Sequence, residues 1–127
     1  MNEFATIKTP IGTLGVRTNS KGVYRLHLAN DVDHEETETP NNNQSSILKN
    51  ALKQLREYFD ENRTTFSVPL DLQMPPFYKK ALLEVAKIPY GKTVSYQEIA
   101  RRAGNAKASR AAGSANANNP IAIFIPC

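Results

Sequence analysis

Short alternating runs fill residues 4–28: Leu14 and Val16 alternate with their neighbours, as do Tyr24, Leu26 and Leu28, with breaks at Pro10 and Gly12 and again at Asn19, Ser20, Lys21 and Gly22. A period of two with turn residues between runs predicts a three-stranded antiparallel meander. Residues 31–43 are polar and acidic and end in Pro40 and three asparagines, which predicts a loop with freedom to move. Ile47, Leu48, Ala51, Leu52, Leu55, Tyr58 and Phe59 fall on one stripe at helical spacing. That stripe predicts an amphipathic helix over 46–60, laid across the meander. Residues 66–72 read as a further strand, and the prolines of 73–76 mark the end of an α+β lobe.

Beyond this boundary the periodicity is helical. Pro76 suits a first helical position, and Phe77, Ala81, Leu82 and Val85 make one apolar face up to Ile88, which precedes Pro89 and so leaves the helix. Tyr90, Gly91 and Lys92 form a turn. Ser95 stands three residues before Glu98, the spacing of a capping box, ahead of Ile99, Ala100 and Ala103, with Gly104 placed to end the helix. Asn105 is set to cap a further helix from Ala106 to about Ala117, built almost wholly of small side chains. Two short helices joined by a glycine-containing turn predict a helix-turn-helix. The chain therefore reads as two domains, an α+β domain over 1–73 and a mainly helical domain over 74–127.

Composition narrows the class. The chain has 127 residues, 40% of them hydrophobic, enough for one core of ordinary size or two small ones. No run approaches the ~18 apolar residues of a membrane span, and the first twenty residues lack the basic start and apolar stretch of a signal peptide, so a soluble cytoplasmic protein is expected. One cysteine cannot form an internal disulfide, which fits a reducing compartment. The net charge of +4 says little until its distribution is seen. Five carboxylates and no Lys or Arg lie in residues 31–38, whereas residues 79–127 hold eight Lys or Arg against Glu84 and Glu98 alone. A nucleic-acid surface is therefore sought in the second half.

The small-residue helix has two readings. Its side chains allow close packing against neighbours, or a smooth face lets backbone approach a narrow groove with Arg110 as the one long side chain projecting from it. Polar readers of base edges are few, so binding by shape or through the minor groove is favoured over sequence-specific regulation. His27 and His34 lack partners at ligand spacing, and no metal or other cofactor is expected.

Residues 88–127 bring a resemblance. The blocks PYGKTVSY, AGNAKASRAAG, NNP and the closing IPC stand in the order and at the intervals found in the DNA-binding and active-site half of the O6-alkylguanine-DNA alkyltransferases. The first half is compatible with that family's ribonuclease-H-like domain. The resemblance implies repair of double-stranded DNA containing O6-alkylguanine, with O4-methylthymine as a second lesion, by transfer of the alkyl group to the protein's own cysteine, one group per molecule; a monomer is the default expectation.

By position, Cys127 is then the acceptor nucleophile; without the motif, a lone cysteine is more often a small buried hydrophobe. A thiol with pKa ~8.5 is only slightly ionised at neutral pH, and the family activates it with an adjacent histidine backed by a glutamate. Arg110 matches the arginine that fills the stack where the damaged nucleotide is extruded; otherwise it is a phosphate contact or a solvated charge. Tyr96 matches the tyrosine beside the flipped nucleotide, whose hydroxyl helps neutralise the leaving guanine; it also suits packing between helices. Asn119 matches the asparagine whose turn precedes the active-site strand, a position an asparagine also takes for conformational reasons. Ala108, Ser109 and Ala112 are expected on the groove-facing side, with Lys107, Arg101 and Arg102 as candidate phosphate contacts of which one is expected to serve.

Two departures bear on activity. Ala122 stands where some members place a pocket proline, which bears on the size of alkyl group accepted. Family members continue past the cysteine with His-Arg and the glutamate-bearing segment, whereas the sequence as given stops at Cys127, where a terminal carboxylate would raise the thiol pKa. Read as written, the polypeptide is expected to be a truncated form with impaired or absent transfer. The alternatives are a noncatalytic lesion-binding protein of the alkyltransferase-like kind, against which Cys127 speaks, and a helix-turn-helix regulator.

Overall fold

The computed structural model describes residues 2–89 and 91–125; Tyr90, expected in a turn, and Pro126 and Cys127 lie outside the described residues. The chain is α+β and divides into two compact units, Met1–Asp71 and Leu72–Cys127.

In the first unit β1 (Glu3–Thr9), β2 (Gly12–Asn19) and β3 (Gly22–His27) form an antiparallel sheet in the order β1-β2-β3. The β1–β2 hairpin pairs Glu3 with Thr18 through to Thr9 with Gly12, and an irregularity at Arg17 and Thr18 shifts the β2–β3 register. Alternation puts Leu14 and Val16 of β2 into the interior, and in β3 the register irregularity brings Val23 and Leu26, three residues apart, to the same buried side. Tyr24 is half-buried, and Leu28, expected to continue the alternation, lies past the strand and is exposed. Helix α1 (Ser46–Phe59) packs on all three strands and buries Leu48, Ala51 and Leu55. Truncating one such leucine to alanine costs ~2–5 kcal/mol. The start of α1 is fixed from β1: the Ser45 side chain accepts from Leu48 N at 3.3 Å, while buried Glu3 accepts from Ser45 N at 3.0 Å and from Ser45 Oγ at 2.5 Å.

Two expectations change here. Residues 66–72 do not extend the sheet; they touch it at one parallel bridge, Val23 to Leu70. Val23 N donates to Pro69 O at 2.9 Å and Asp71 N donates to Val23 O at 2.8 Å. Pro69 has no N–H to carry the ladder further. The Pro69 carbonyl also lies so close to Gly22 that a Cβ there would collide with it, so glycine is required where β3 begins. The acidic loop, expected to be free, is tied to the sheet. Glu36 accepts from both terminal nitrogens of Arg17, Asp31 takes His27 and Arg25, and Glu38 accepts from Thr6 N and Thr6 Oγ1.

The second unit is helical. Helix α2 (Pro76–Ala86) starts on its proline and turns Ala81, Leu82 and Val85 inward, and Lys87 caps it before Pro89. Helices α3 (Tyr96–Arg102) and α4 (Ser109–Ala117) follow, and α4 packs against both α2 and α3. Among the described residues no helix is long and apolar enough to cross a membrane.

Candidate nucleic-acid interface and acceptor site

Helix α3 begins as its sequence dictates. Ser95 Oγ accepts from Glu98 N at 3.1 Å, satisfying one orphan donor of the first turn. The other half of the capping box is not made, because the Glu98 carboxylate is drawn the opposite way. It accepts from Arg101 Nε at 2.8 Å and Arg102 Nε at 2.8 Å, as well as from a second Arg101 nitrogen. These hydrogen bonds, Arg101 first, lower the Glu98 pKa from 4.5 to about 2 and raise that of Arg101. Both arginines are therefore partly neutralised on their own helix.

The turn between the helices is made by Gly104, at φ 108°, where added bulk would meet nothing but an L side chain is strained. Asn105 then caps this turn rather than a helix: its Oδ1 accepts from Lys107 N at 3.1 Å and its carbonyl from Ala108 N at 3.0 Å. That local closure uses residues 105–108, so α4 starts at Ser109 and not at Ala106.

Along α4 the small side chains allow close packing against α2 and α3. Ala112, Ala115 and Asn116 face inward, while Arg110 and Ala117 are exposed. Ala112, expected to face a groove, is 1% exposed; its methyl group is part of the packing that lets α4 approach its neighbours. Ala108 and Ser109 are half-buried, and Lys107 is exposed. Neither Arg110 nor Lys107 has a side-chain ion-pair partner among the described residues, in contrast to Arg101 and Arg102.

Tyr96, the first residue of α3, is 49% exposed. One face of its ring lies on Gly113, where an added Cβ would approach Tyr96 Cδ2 to 3.3 Å, and its hydroxyl accepts from Asn116 Nδ2 at 3.3 Å. Arg110 stands one turn before Gly113 on α4, so helical spacing puts it on the same side as the ring.

After α4 the chain folds back on itself. Asn119 Oδ1 accepts from Ile121 N at 3.0 Å and its Nδ2 donates to the Ile125 carbonyl at 2.6 Å, fastening a loop whose next residues in sequence are Pro126 and Cys127. Ile121, Phe124 and Ile125 are buried beneath it. Residues 120–125 form turns and a bend, with Ile125 N bonding Ile121 O at 3.1 Å in a helical sense, and the cysteine end of the expected active-site strand lies outside the described residues. Ile123 takes φ 76°, a region a β-branched residue rarely enters. Ala122 is half-buried. His27 lies between Arg17 and Asp31 in the first unit, and no cluster able to hold a metal occurs among the described residues.

Both units have named counterparts. Residues 3–72 match the family model described as 6-O-methylguanine DNA methyltransferase, ribonuclease-like domain, and residues 76–127 match the one described as 6-O-methylguanine DNA methyltransferase, DNA binding domain. The chain belongs to this methyltransferase family. Among its relatives is the constitutive methylated-DNA--protein-cysteine methyltransferase of Bacillus subtilis, 40% identical over all of this chain and 79% of that protein. The Mycolicibacterium paratuberculosis methylated-DNA--protein-cysteine methyltransferase is 36% identical over all of this chain and 76% of its own. The fold agrees with the crystal structure of Mycobacterium tuberculosis O6-methylguanine methyltransferase, with TM-score 0.78 and 36% identity over all of this chain and 76% of that one. It agrees as well with Mycobacterium tuberculosis OGT in complex with DNA, with TM-score 0.76 and 36% identity over 98% of this chain and 75% of that one.

Gly113 and Asn116 of this methyltransferase chain carry no role in the motif, and Arg101 and Arg102, candidate phosphate contacts by sequence, are paired with Glu98. Position 116 lies four residues after Ala112 and one after Ala115, on the buried face, and a polar residue there is the available signal.

Proposed function

We propose that this protein repairs duplex DNA by transferring an alkyl group from O6 of guanine to Cys127, one group for each protein molecule. Family membership across both units, with the motif closing on the sole cysteine of the sequence, is the observation that carries this reading. The Cys127 thiolate attacks the saturated carbon on O6; an S–C bond forms, the C–O bond breaks, and its electron pair stays with the guanine, which takes up a proton. Tyr96, with one face open, stands beside the extruded base and offers its hydroxyl to the leaving guanine. Arg110 fills the vacated stack, and Lys107 with the half-exposed Ala108 and Ser109 meets the backbone. Asn119 holds the loop that presents Cys127. The protein acts as a monomer in the reducing cytoplasm, and O4-methylthymine is a second substrate.

The test is intact-mass analysis of the native protein, expressed from its complete reading frame, after incubation with a duplex bearing O6-methylguanine. A gain of one methyl in place of one hydrogen, at most one per molecule and absent from Cys127→Ser, is expected. Tight lesion-selective binding with no mass gain would favour the noncatalytic lesion-binding alternative.

A further inference from the structure

Helix α4 is made of small residues except at two places, Arg110 on its exposed side and Asn116 on its buried side. Asn116 is 8% exposed, yet among the described residues its Oδ1 has no hydrogen-bond partner. An unmet acceptor in the interior is costly, and an aliphatic side chain of similar size would avoid that cost, so stability does not account for asparagine here. Its amide group does make one contact, from Nδ2 to the Tyr96 hydroxyl oxygen at 3.3 Å. The opposite amide orientation would leave an NH2 group with two donors buried in place of one acceptor, and would take the phenol's hydrogen.

We propose that Asn116 is a positioning residue for Tyr96. By donating to the phenol oxygen it holds the hydroxyl and leaves the phenol's own hydrogen free to point outward. The Tyr96 ring is fixed at its other end by Gly113, one turn earlier on α4, where even a methyl group would press on Cδ2 and Cε2. Two contacts from one helix thus set both the plane of the ring and the direction of its O–H. A hydroxyl on a half-exposed tyrosine would otherwise sample water and several orientations. This assignment rests on the alkyl-transfer reading, in which the freed hydrogen is donated to the leaving guanine.

Two readouts test it on the native protein from its complete reading frame. In nitrogen-15 spectra the Asn116 side-chain amide signals, identified by their loss in Asn116→Leu, shift when Tyr96 is changed to phenylalanine. In single-turnover methyl transfer from an O6-methylguanine duplex, Asn116→Leu slows the reaction about tenfold with lesion affinity and thermal stability kept, and has no further effect when combined with Tyr96→Phe. Unmoved amide signals overturn the proposal. So does an equal slowing of transfer by Asn116→Leu whether position 96 keeps its tyrosine or carries the Tyr96→Phe change, which would make Asn116 a packing residue. A wild type that forms no adduct, while the amide signals still respond to Tyr96→Phe, sinks the transfer reading and not the contact.

Discussion

Arg110 and Lys107 carry the same charge a few residues apart, and their surroundings suit them to different tasks. Lys107 is exposed in a turn, where a flexible ammonium acts as a point charge on phosphate. Lys107→Ala should lower duplex affinity equally for damaged and undamaged DNA and reduce the slope of log affinity against log salt by about 1. Arg110 projects from α4 on the side of the Tyr96 ring, and in the proposed function its value lies in replacing an extruded base. Arg110→Ala should slow transfer from a duplex by about 10- to 100-fold, since it raises the cost of unstacking by ~1–3 kcal/mol. The same variant should act nearly as wild type on single-stranded substrate, where no stack has to be filled. Comparing single-turnover rates on the two substrates checks this, and equal losses on both would make Arg110 an ordinary phosphate contact.

At the scale of elements, α3 carries its own counter-charge. Glu98 binds both Arg101 and Arg102, so the two cations of this helix are partly neutralised before any partner arrives. Glu98→Gln should free them, raising nonspecific duplex affinity and steepening the salt slope by up to about 2. The pKa of Glu98 is depressed from 4.5 to about 2, so the stability these pairs give α3 is present above 4.5 and is lost as pH falls through about 2. Acid unfolding followed by circular dichroism should separate wild type from Glu98→Gln at neutral pH and bring them together at the acid end. In the first unit, Ser45 links the start of α1 to Glu3 of β1, and Ser45→Ala should destabilise the fold by ~1–2 kcal/mol in urea unfolding. The meander, α1, α2 and the start of α3 are legible in periodicity and caps, because each is stabilised by its own neighbours in sequence. Local pattern misplaces the start of α4, since Asn105 can cap a turn as well as a helix. Residues 66–72 have strand composition, but the number of bonds they make depends on where Pro69 falls against β3, a non-local fact. Likewise the partner of Glu98 is a choice among rotamers, and the contact of Asn116 with Tyr96 joins residues 20 apart. Side-chain pairing across elements is where the sequence is silent.

Over the whole molecule, charge and chemistry are segregated. The first unit binds its acidic loop to its own sheet through Arg17, Arg25 and His27, while the second carries Lys107, Arg110, the exposed tyrosine and the motif that ends on the cysteine. In the proposed function this cysteine receives the alkyl group. The most direct test uses a duplex whose O6-methylguanine carries a deuterated methyl, followed by tryptic mapping of the native protein. Trypsin cuts after Arg110, so the peptide beginning at Ala111 contains Cys127. The deuterated methyl is expected on that peptide, on sulfur and nowhere else. Label on another residue, or repaired DNA with an unlabelled protein, would contradict it.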